Sequence, residues 1–339
     1  MIRLALVGPG RWGRILVEAV QGVSREVTFT HAVARSPEKA RAWCEARGIA
    51  LVGTLADALD MGQLEGGIDG VVLATPHSRH AAQIEEAASA SMPVFCEKPV
   101  ALNVADAGRA LDAVRATGTV FAAGHNRRFL PAVLQMKRMI DAGELGRLLH
   151  AEGNMSSHVG FGEVYTPDLW RVAAGESPAG GLAAAGIHVI DLMIHLLGPV
   201  ASVVAQSDRL VHEIDHDDTT GMLLRFASRA SGYVGTMTAT GREFRLQVFG
   251  ERGWLELRGE TELTWTPVEG VTRTWRHPAV STERLELEAF AAAIRRAAPY
   301  PVHEDDLLNG IAVFEGVSAS LASDGRVDVS RRTIPESNL

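Results

Sequence analysis

The stretch MIRLALVGPGRWGRILVEAV, residues 1–20, decides the fold through its central loop, Gly8-Pro9-Gly10-Arg11-Trp12-Gly13. The apolar string LALV precedes this loop, and an amphipathic stretch follows it. Between a strand and a helix, Gly8 permits the tight turn, Gly10 lets the backbone approach a pyrophosphate, and Gly13 allows close helix–strand packing. The N-terminus of the helix then faces the anion. The loop therefore predicts a dinucleotide-binding unit, with its six residues as cofactor contacts.

Residues 1–124 continue to alternate short apolar runs with helical patterns. The runs are too short for helices, and several are rich in Val or bounded by Gly and Pro, as buried parallel strands are. They lie at Leu4–Val7, Phe29–Ala34, Gly70–Ala74, Val94–Cys96 and Val120–Ala123. Ser36 and Asn103 stand where helix N-caps are expected, and Gly118 where a helix ends. This alternation predicts βαβ units and a parallel sheet.

The pattern changes after residue 124. Helical signals near Pro131–Ala142 and Leu182–Leu197 precede a series of short strands between Val200 and Trp275. Turn signals separate these strands, which favours an antiparallel meander. Glu283–Arg296 and Asp305–Ser320 are predicted as closing helices. We therefore expect two domains, a nucleotide-binding domain over residues 1–124 and an α+β domain over residues 125–339.

Composition excludes several classes of protein. The formal net charge of −8 disfavours a nucleic-acid partner, and no apolar run reaches the roughly 18 residues of a membrane span. The N-terminus resembles a buried strand more than a signal peptide. Cys44 and Cys96 form no CxxC pair and are expected to be buried, reduced thiols. These observations predict a cytoplasmic protein with no membrane partner and no metal site.

The end of the second predicted strand bears on the choice of cofactor. An NAD site usually has an acidic residue there, which binds the ribose hydroxyls. Here the strand ends at Ala34 and is followed by Arg35 and Ser36, a guanidinium and a hydroxyl suited to a 2′-phosphate. The three residues predict a preference for NADP(H), with NAD(H) as the alternative. In the competing interpretation, Arg35 is a solvated turn residue.

Three further strings carry a family resemblance: Thr75-Pro76-His77-Ser78-Arg79-His80, Cys96-Glu97-Lys98-Pro99, and Gly124-His125-Asn126-Arg127-Arg128-Phe129. With the glycine loop, they resemble the Gfo/Idh/MocA family of glucose–fructose oxidoreductases and inositol dehydrogenases. The resemblance implies a Rossmann domain, followed by an α+β domain with an open, mainly antiparallel sheet. It also implies a sugar, cyclitol or related polyol as substrate, and a homodimer or homotetramer formed through that sheet.

By this resemblance Lys98 is the catalytic lysine, and the peptide bond before Pro99 is cis. An ammonium suits the chemistry because hydride transfer moves charge onto or off the substrate oxygen. Lys98 follows a buried strand, at the end where α/β proteins bind ligands. Asn126 is expected to shape the nicotinamide end. A larger group of residues completes the expected cofactor cleft: Thr75, Pro76, His77, His80, Glu97 and Lys98 itself.

His188 closes a glycine-rich string that resembles the second catalytic string of the family. Many members carry an aspartate four residues before this histidine, where this chain has Ala184. Asp191 lies on the same helical face as His188, so it is a candidate helper, although a structural role is favoured. Other candidates are Glu163, Tyr165 and Asp168, which precede Trp170.

The resulting hypothesis is reversible hydride transfer between nicotinamide and a carbon bearing a hydroxyl or carbonyl. Lys98 polarises the substrate oxygen and His188 relays the proton, while Arg127 and Trp170 are expected to bind the substrate. Two alternatives stay open. The first is a cofactor-recycling lyase or glycosidase of the same fold. The second is an NADP-binding sensor protein without catalysis.

Overall fold

The computed structural model describes residues 1–64, 66–158, 169–173 and 175–329. The chain forms two compact units. The first comprises Met1–Ala101, Ala105–Asn126 and Ser281–Glu304, and the second comprises Leu102–Val104, Arg127–Val280 and the chain from Asp305 onward. One crossing falls between Asn126 and Arg127, close to the expected boundary at residue 124, but Leu102–Val104 belongs to the second unit and Ser281–Glu304 to the first.

The first unit contains the predicted parallel sheet. Its strands are β1 (Ile2–Val7), β2 (Val27–Val33), β3 (Ala50–Val52), β4 (Gly70–Leu73), β5 (Val94–Glu97) and β6 (Phe121–Gly124). They are all parallel, in the order β3-β2-β1-β4-β5-β6. The helices are α1 (Arg11–Val20), α2 (Pro37–Glu45), α3 (Leu55–Asp60), α4 (His80–Ser89), α5 (Val104–Thr117) and, from late in the chain, α8 (Thr282–Ile294). This strand order defines a Rossmann fold, so the prediction is confirmed.

Strand β3 was missed in the sequence because it is a three-residue edge strand that begins at the exposed Ala50. The helix ends follow the sequence signals more closely. Helix α2 begins at Pro37, although no hydrogen bond from the Ser36 side chain caps it within the described part of the chain. Gly118, which follows the last residue of α5, has φ of +65°, so it ends that helix as predicted.

Helix α8 corrects the expected domain assignment, which placed it with residues 125–339. It packs on α1, and Phe290 lies 5.9 Å from Phe95, a fully buried residue of β5. Farther along the chain, the Tyr300 hydroxyl donates a hydrogen bond of 2.9 Å to the carbonyl of Ala123 in β6. The apolar face of α8 therefore completes the core of the first unit. Local sequence patterns do not reveal which core a helix packs against.

The second unit is built on a nine-stranded sheet. Its strands are β7 (Leu148–Ser156), β8 (Val200–Asp208), β9 (Thr219–Phe226), β10 (Ser231–Met237), β11 (Glu243–Gly250), β12 (Gly253–Arg258), β13 (Glu262–Pro267), β14 (Arg273–Arg276) and β15 (Val327–Asp328). Its helices are α6 (Pro131–Asp141), α7 (Gly186–Leu197) and α9 (Glu304–Ser323). All strand pairs are antiparallel except β7 with β10, so the prediction of a mainly antiparallel sheet is confirmed.

Strand β7 corrects the expected simple meander. It inserts between β10 and β11 and pairs in parallel with β10. The sequence LLHAEGNMS lacks a clear alternation, and β7 was therefore not predicted. A Cβ at Gly153 would overlap the side chain of Val189, so this glycine lets α7 lie directly on the centre of the sheet. Nearly all of α7 is consequently buried.

Candidate functional site

The glycine loop has the geometry of a phosphate-binding turn. Gly8 has φ of +94°, and a Cβ there would lie 2.8 Å from the carbonyl oxygen of Ala74. A Cβ at Gly13 would overlap the carbonyl oxygen of Gly8. Beside Gly10, by contrast, a Cβ would meet no atom of the described residues within 4 Å. Gly8 and Gly13 are therefore required by the fold itself, whereas Gly10 leaves open space at the start of α1.

The N-terminus of α1 points its first N–H groups into this space. Gly10 is the N-cap residue, and among the described residues no side chain caps the helix there. Arg11 is exposed and Trp12 is half-buried in the first turn. Uncapped N–H groups, the helix dipole and the room at Gly10 fit the pyrophosphate of a dinucleotide.

Arg14 also holds the glycine loop in place, a role that was not predicted from the sequence. Its Nε donates a hydrogen bond of 3.1 Å to the carbonyl of Pro9, and its Nη2 donates one of 3.3 Å to the carbonyl of Lys39 in α2. The same guanidinium lies 5.1 Å from the centre of the Trp43 ring. Arg14 thus ties the glycine loop to the helix that follows β2.

The residues after β2 lie at the same edge of the sheet as the glycine loop. Val7 and Val33, the last residues of β1 and β2, are register partners, so the two strands end together. Ala34 is buried, Arg35 is exposed, and Ser36 is half-buried before α2. This is the edge at which Rossmann folds bind the ribose of the dinucleotide.

Lys98 directly follows β5, which lies between β4 and β6. The Lys98–Pro99 peptide bond is cis, as predicted. The Lys98 backbone N–H donates to Glu97 Oε2 at 3.2 Å, and a Cβ at Gly124 would lie 3.0 Å from the Glu97 carboxyl group. Glu97 therefore packs against the end of β6 with only 5% of its surface exposed, and its expected contact with the cofactor stays a prediction.

The segment after β4 lies beside the Lys98 turn. Thr75 and Pro76 are half-buried, and the Thr75 hydroxyl donates to Gln83 Oε1 at 2.6 Å. His77 is buried, in a short 3-10 turn that leads into α4. Its ring lies 5.9 Å from the ring of His80, in an edge-on arrangement.

His80 was predicted as a cofactor contact, and this contact stays a prediction. None of its surface is exposed. Its Nδ1 lies 2.7 Å from the carbonyl oxygen of Pro99, and its Nε2 lies 3.0 Å from the carbonyl oxygen of Thr75. Both ring nitrogens of His80 therefore contact backbone carbonyl oxygens.

Asn126 lies just past β6, where it was expected to contact the nicotinamide. Its side-chain amide donates to Glu283 Oε1 at 3.0 Å and to Thr282 Oγ1 at 3.3 Å, at the start of α8. Only 1% of the residue is exposed. Asn126 therefore anchors α8, and its contact with the cofactor stays a prediction.

Apart from Lys98, the expected substrate-binding residues lie in the second unit. His188 is the third residue of α7 and is 5% exposed, and Ala184 precedes the helix by two residues. Arg127 pairs with Glu260 at 2.7 Å, with its guanidinium 5.9 Å from the Phe244 ring centre. Trp170 is half-buried, with the Arg171 guanidinium 4.4 Å from its ring centre. Glu163, Tyr165 and Asp168 lie outside the described residues.

Asp191 has the structural role that the sequence analysis favoured. Arg128 donates from Nε to Oδ2 at 2.9 Å and from Nη2 to Oδ1 at 2.7 Å, and both residues are buried. The third nitrogen, Nη1, donates to Asp306 Oδ2 at 2.9 Å. Burial, with a further contribution from the Arg128 cation, lowers the pKa of the neighbouring His195 to about 4. This ion-pair network joins α7 to the start of α9.

The segment between β8 and β9 is rich in histidine and aspartate. Asp218 Oδ2 accepts hydrogen bonds from the backbone N–H groups of Leu210, Val211 and His212, at 2.6 to 3.0 Å. Asp218 and His216 are both buried, and burial lowers the pKa of His216. The segment is an ordered loop organised by one carboxylate. Within the described residues, no group of three or more His, Cys, Asp or Glu side chains is arranged to hold a metal ion.

Comparison with known proteins identifies the family. Residues 2–125 match the family described as "Oxidoreductase family, NAD-binding Rossmann fold", and residues 133–256 match the "GFO/IDH/MocA C-terminal domain". The chain therefore belongs to the Gfo/Idh/MocA family of oxidoreductases. Its first domain is an NAD-binding Rossmann domain, and the resemblance expected from the sequence motifs is confirmed.

Individual relatives match over nearly their full lengths. The chain is 27% identical to the rhizopine catabolism protein MocA of Rhizobium meliloti, covering 95% of this chain and 96% of that protein. It is also 27% identical to inositol 2-dehydrogenase of Rhizobium meliloti strain 1021, covering 97% and 99%. The WlbA dehydrogenase of Bordetella pertussis, solved with NADH and UDP-GlcNAcA, shares the fold with a TM-score of 0.85 at 24% identity, covering 98% of each chain.

In the described part of the chain, no helix has both the length and the apolar character needed to cross a membrane.

Proposed function

We propose that the protein is a dehydrogenase that transfers a hydride between a nicotinamide dinucleotide and a hydroxyl- or carbonyl-bearing carbon of a sugar, cyclitol or related polyol. The observation that carries the proposal is the position of Lys98, which follows β5 at the edge of the sheet where the glycine loop also lies. The name of one full-length relative, inositol 2-dehydrogenase, supports the substrate class. When bound, the nicotinamide supplies the hydride donor or acceptor.

Lys98 binds the substrate oxygen in this proposal, and its ammonium stabilises the negative charge that develops there. The choice of lysine is itself informative, because the chain has only three lysines beside 30 arginines. Arginine stays protonated in proteins and cannot accept a proton, whereas a lysine amine can. A role in proton transfer explains a lysine here, in a chain that otherwise uses arginine for most of its positive charges.

His188 is the proposed proton relay. It stands in the first turn of α7, and the packing of that helix on the sheet fixes its backbone. By the family resemblance, Ala184 stands where an aspartate would orient this histidine. Asp191, three residues farther along α7, accepts from Arg128 with both oxygens, which ties it to the ion-pair network. Arg127 and Trp170 complete the proposal as substrate-binding residues, Arg127 through the guanidinium that pairs with Glu260.

The direct test is a screen of inositols, aldoses, sugar acids and the corresponding ketones with each dinucleotide, followed by the absorbance of the reduced nicotinamide. The dehydrogenase proposal predicts net reduction of cofactor by at least one polyol, or net oxidation by the matching ketone. Conversion of substrate with no net change in cofactor would instead identify a cofactor-recycling lyase or glycosidase. Tight cofactor binding with no conversion of any compound would identify a sensor protein.

We further propose that the protein prefers NADP(H) to NAD(H). Support comes from the exposed Arg35 beside Ser36, at the edge where the ribose binds, and from the absence of an acidic residue at the end of β2. A guanidinium–phosphate pair contributes about 1.5–3 kcal/mol, which corresponds to a factor of roughly 10–100 in affinity.

The Arg35→Ala variant tests this preference. It is expected to reduce kcat/KM for NADP(H) by about 10–100-fold, with little effect on the binding of NAD(H), because only the 2′-phosphate contact is lost. Arg25→Ala is the matched control, since Arg25 is also exposed but precedes β2, at the opposite end of the same strand. Equal losses with both dinucleotides, or better turnover with NAD(H) in the unchanged protein, would contradict the preference.

We also propose a homodimer or homotetramer formed through the sheet of the second unit. Leu223 in β9 and Tyr233 in β10 are register partners whose side chains are 58% and 44% exposed. An exposed apolar cross-strand pair of this kind is typical of an interface. Light scattering after size-exclusion chromatography should show an oligomer that Leu223→Asp dissociates. The control Leu210→Asp, at an exposed loop position, should leave the mass unchanged.

A further inference from the structure

The protonation state of His80 follows from its two hydrogen-bond partners. The ring lies in the first turn of α4 and is fully buried. Both nitrogens lie within 3.0 Å of backbone carbonyl oxygens, those of Pro99 and Thr75. A carbonyl oxygen can only accept a hydrogen bond, and a neutral imidazole has only one N–H to donate. Both bonds form together only if the ring carries two protons.

We propose that His80 is held as an imidazolium and acts as a positioning residue for Lys98. The proposal rests on the catalytic role proposed above for Lys98. The register between β4 and β5 ends at the pair Leu73 and Cys96, before the segments that carry Thr75 and Lys98. Beyond that pair, His80 joins the two segments by donating to Thr75 on one side and to Pro99 on the other. It therefore continues the connection between the strands to the residue that directly follows Lys98.

The charge of the imidazolium explains why a histidine suits this position. Bonds from a charged donor are shorter and stronger than bonds from a neutral donor, and the Nδ1 to Pro99 distance of 2.7 Å is at the short end of the N–H···O range. A buried charge must be compensated by its partners. Beside His80 itself, the charged or titratable side chains of residues 75–80 and 97–99 are His77, Arg79, Glu97 and Lys98, of which Glu97 is the anion.

A second histidine in the same chain provides the opposite case. His195 Nδ1 lies 3.3 Å from Arg128 Nη1, and a guanidinium can only donate. Nδ1 of His195 must therefore be an unprotonated acceptor, which agrees with its lowered pKa of about 4. At pH 7 the geometry predicts that the buried His80 carries two protons and that the half-buried His195 carries a single proton on Nε2.

The protonation states can be measured without any assumption about turnover. Long-range nitrogen–proton NMR of the full chain, labelled with ¹⁵N in the histidine rings, separates imidazolium from each neutral tautomer, and His80→Gln and His195→Gln assign the two signals. We expect His80 to show two protonated nitrogens at pH 7 and His195 to show one. If a variant fails to fold, neutron diffraction from crystals of the unchanged protein locates the same protons. A single proton on His80 at pH 7 by either method would overturn the proposal.

The positioning role has its own kinetic test. His80→Asn keeps a neutral donor near the Nδ1 position, on the Pro99 side, whereas His80→Gln keeps one near the Nε2 position, on the Thr75 side. Misplacing a catalytic group by about 1 Å can cost 10²-fold in rate, so we expect kcat to fall by about 10–100-fold. The loss should be smaller for His80→Asn, which retains the bond nearer Lys98, and the Kd for the cofactor should change by less than about threefold.

The outcomes separate this inference from the proposed function. If both variants keep the kcat of the unchanged protein, or if they lose cofactor affinity and kcat in equal proportion, the positioning role is refuted. If the unchanged protein has no dehydrogenase activity, the proposed function fails, and the role of His80 toward Lys98 fails with it. The proton count on His80 is decided by the spectrum in either case.

Discussion

Lys98 in the first unit is the expected catalytic lysine, and Asp191 in the second unit is a candidate helper of His188. The surroundings of the two charged groups differ. Lys98 directly follows a strand and is half-buried, and its backbone N–H donates to the Glu97 carboxylate. Asp191 lies in the middle of a buried helix and is 4% exposed, with both oxygens bound to Arg128. The difference shows that proximity in sequence to a candidate catalytic histidine, His188, does not make a carboxylate catalytic. The groups that accept or donate hydrogen bonds around it decide its role.

Among changes in the second unit, removing Arg128 is expected to have the largest effect on stability. Arg128→Met leaves the buried Asp191 without its partner, which should lower the free energy of unfolding by about 3–5 kcal/mol. Urea unfolding followed by circular dichroism measures this loss. The double variant Arg128→Met/Asp191→Leu should recover a large part of the stability because it removes the stranded charge. A loss below about 1 kcal/mol for the single variant would show that the pair contributes little.

Two substitutions in the glycine loop of the first unit distinguish an effect on stability from an effect on cofactor binding. Gly13→Ala places a methyl group against the carbonyl of Gly8, and it should cost about 1–3 kcal/mol of stability and also weaken cofactor binding. Gly10→Ala meets no described atom within 4 Å, so stability should change by less than about 1 kcal/mol. Its methyl group would occupy the space proposed for the pyrophosphate, so the cofactor Kd should rise at least tenfold. Unchanged affinity in Gly10→Ala would place the pyrophosphate elsewhere.

The pKa of His195 predicts how stability depends on pH. Its pKa in the folded state, about 4, is below the ordinary value of 6.5, so the unfolded chain binds more protons between these values. The contribution to stability is complete above pH 6.5 and is lost as the pH falls toward 4, by roughly 1–3 kcal/mol. Unfolding at pH 7 and at about pH 4.5 should therefore show a smaller decrease for His195→Gln than for the unchanged protein. Equal decreases would contradict the pKa assigned to His195.

The smallest expected effect on stability comes from substitutions at the N-caps of α3 and α2. Thr54 accepts from the N–H of Asp57 at 3.1 Å, and the Asp57 carboxylate accepts from the N–H of Thr54 at 2.8 Å, so α3 has a complete capping box. Thr54→Ala should lower the free energy of unfolding by about 1 kcal/mol. Ser36→Ala should change it by less than about 0.5 kcal/mol, because the Ser36 side chain makes no capping bond within the described residues. Equal losses in thermal or urea unfolding would contradict the contrast between the two caps.

Features that depend on neighbouring residues were predictable from the sequence. The glycine loop, the parallel strands, the cis bond before Pro99 and most strands of the second unit followed from local patterns and the family motifs. The family could also be predicted from short motifs, because each motif combines residues that fix the backbone with residues suited to binding or catalysis.

Features that depend on distant segments were not predictable. The return of α8 to the first unit rests on Phe290 and Tyr300, which contact β5 and β6. The partner of Asp191 is an arginine 63 positions earlier in the chain. The hydrogen-bond partners of the His80 ring, the carbonyls of Thr75 and Pro99, are backbone groups and carry no side-chain signal in the sequence.

The central claim is that Lys98 carries out the proton and charge chemistry of a dinucleotide-dependent dehydrogenase. The most direct measurement compares steady-state turnover and cofactor Kd in Lys98→Ala and Lys98→Arg, with Lys137→Ala, which removes a surface ion pair with Asp141, as the control. We predict that Lys98→Ala loses at least about 10³-fold in kcat with cofactor Kd within about threefold. Lys98→Arg should restore little, because a guanidinium does not release its proton. Turnover by Lys98→Ala within tenfold of the unchanged protein would contradict the account.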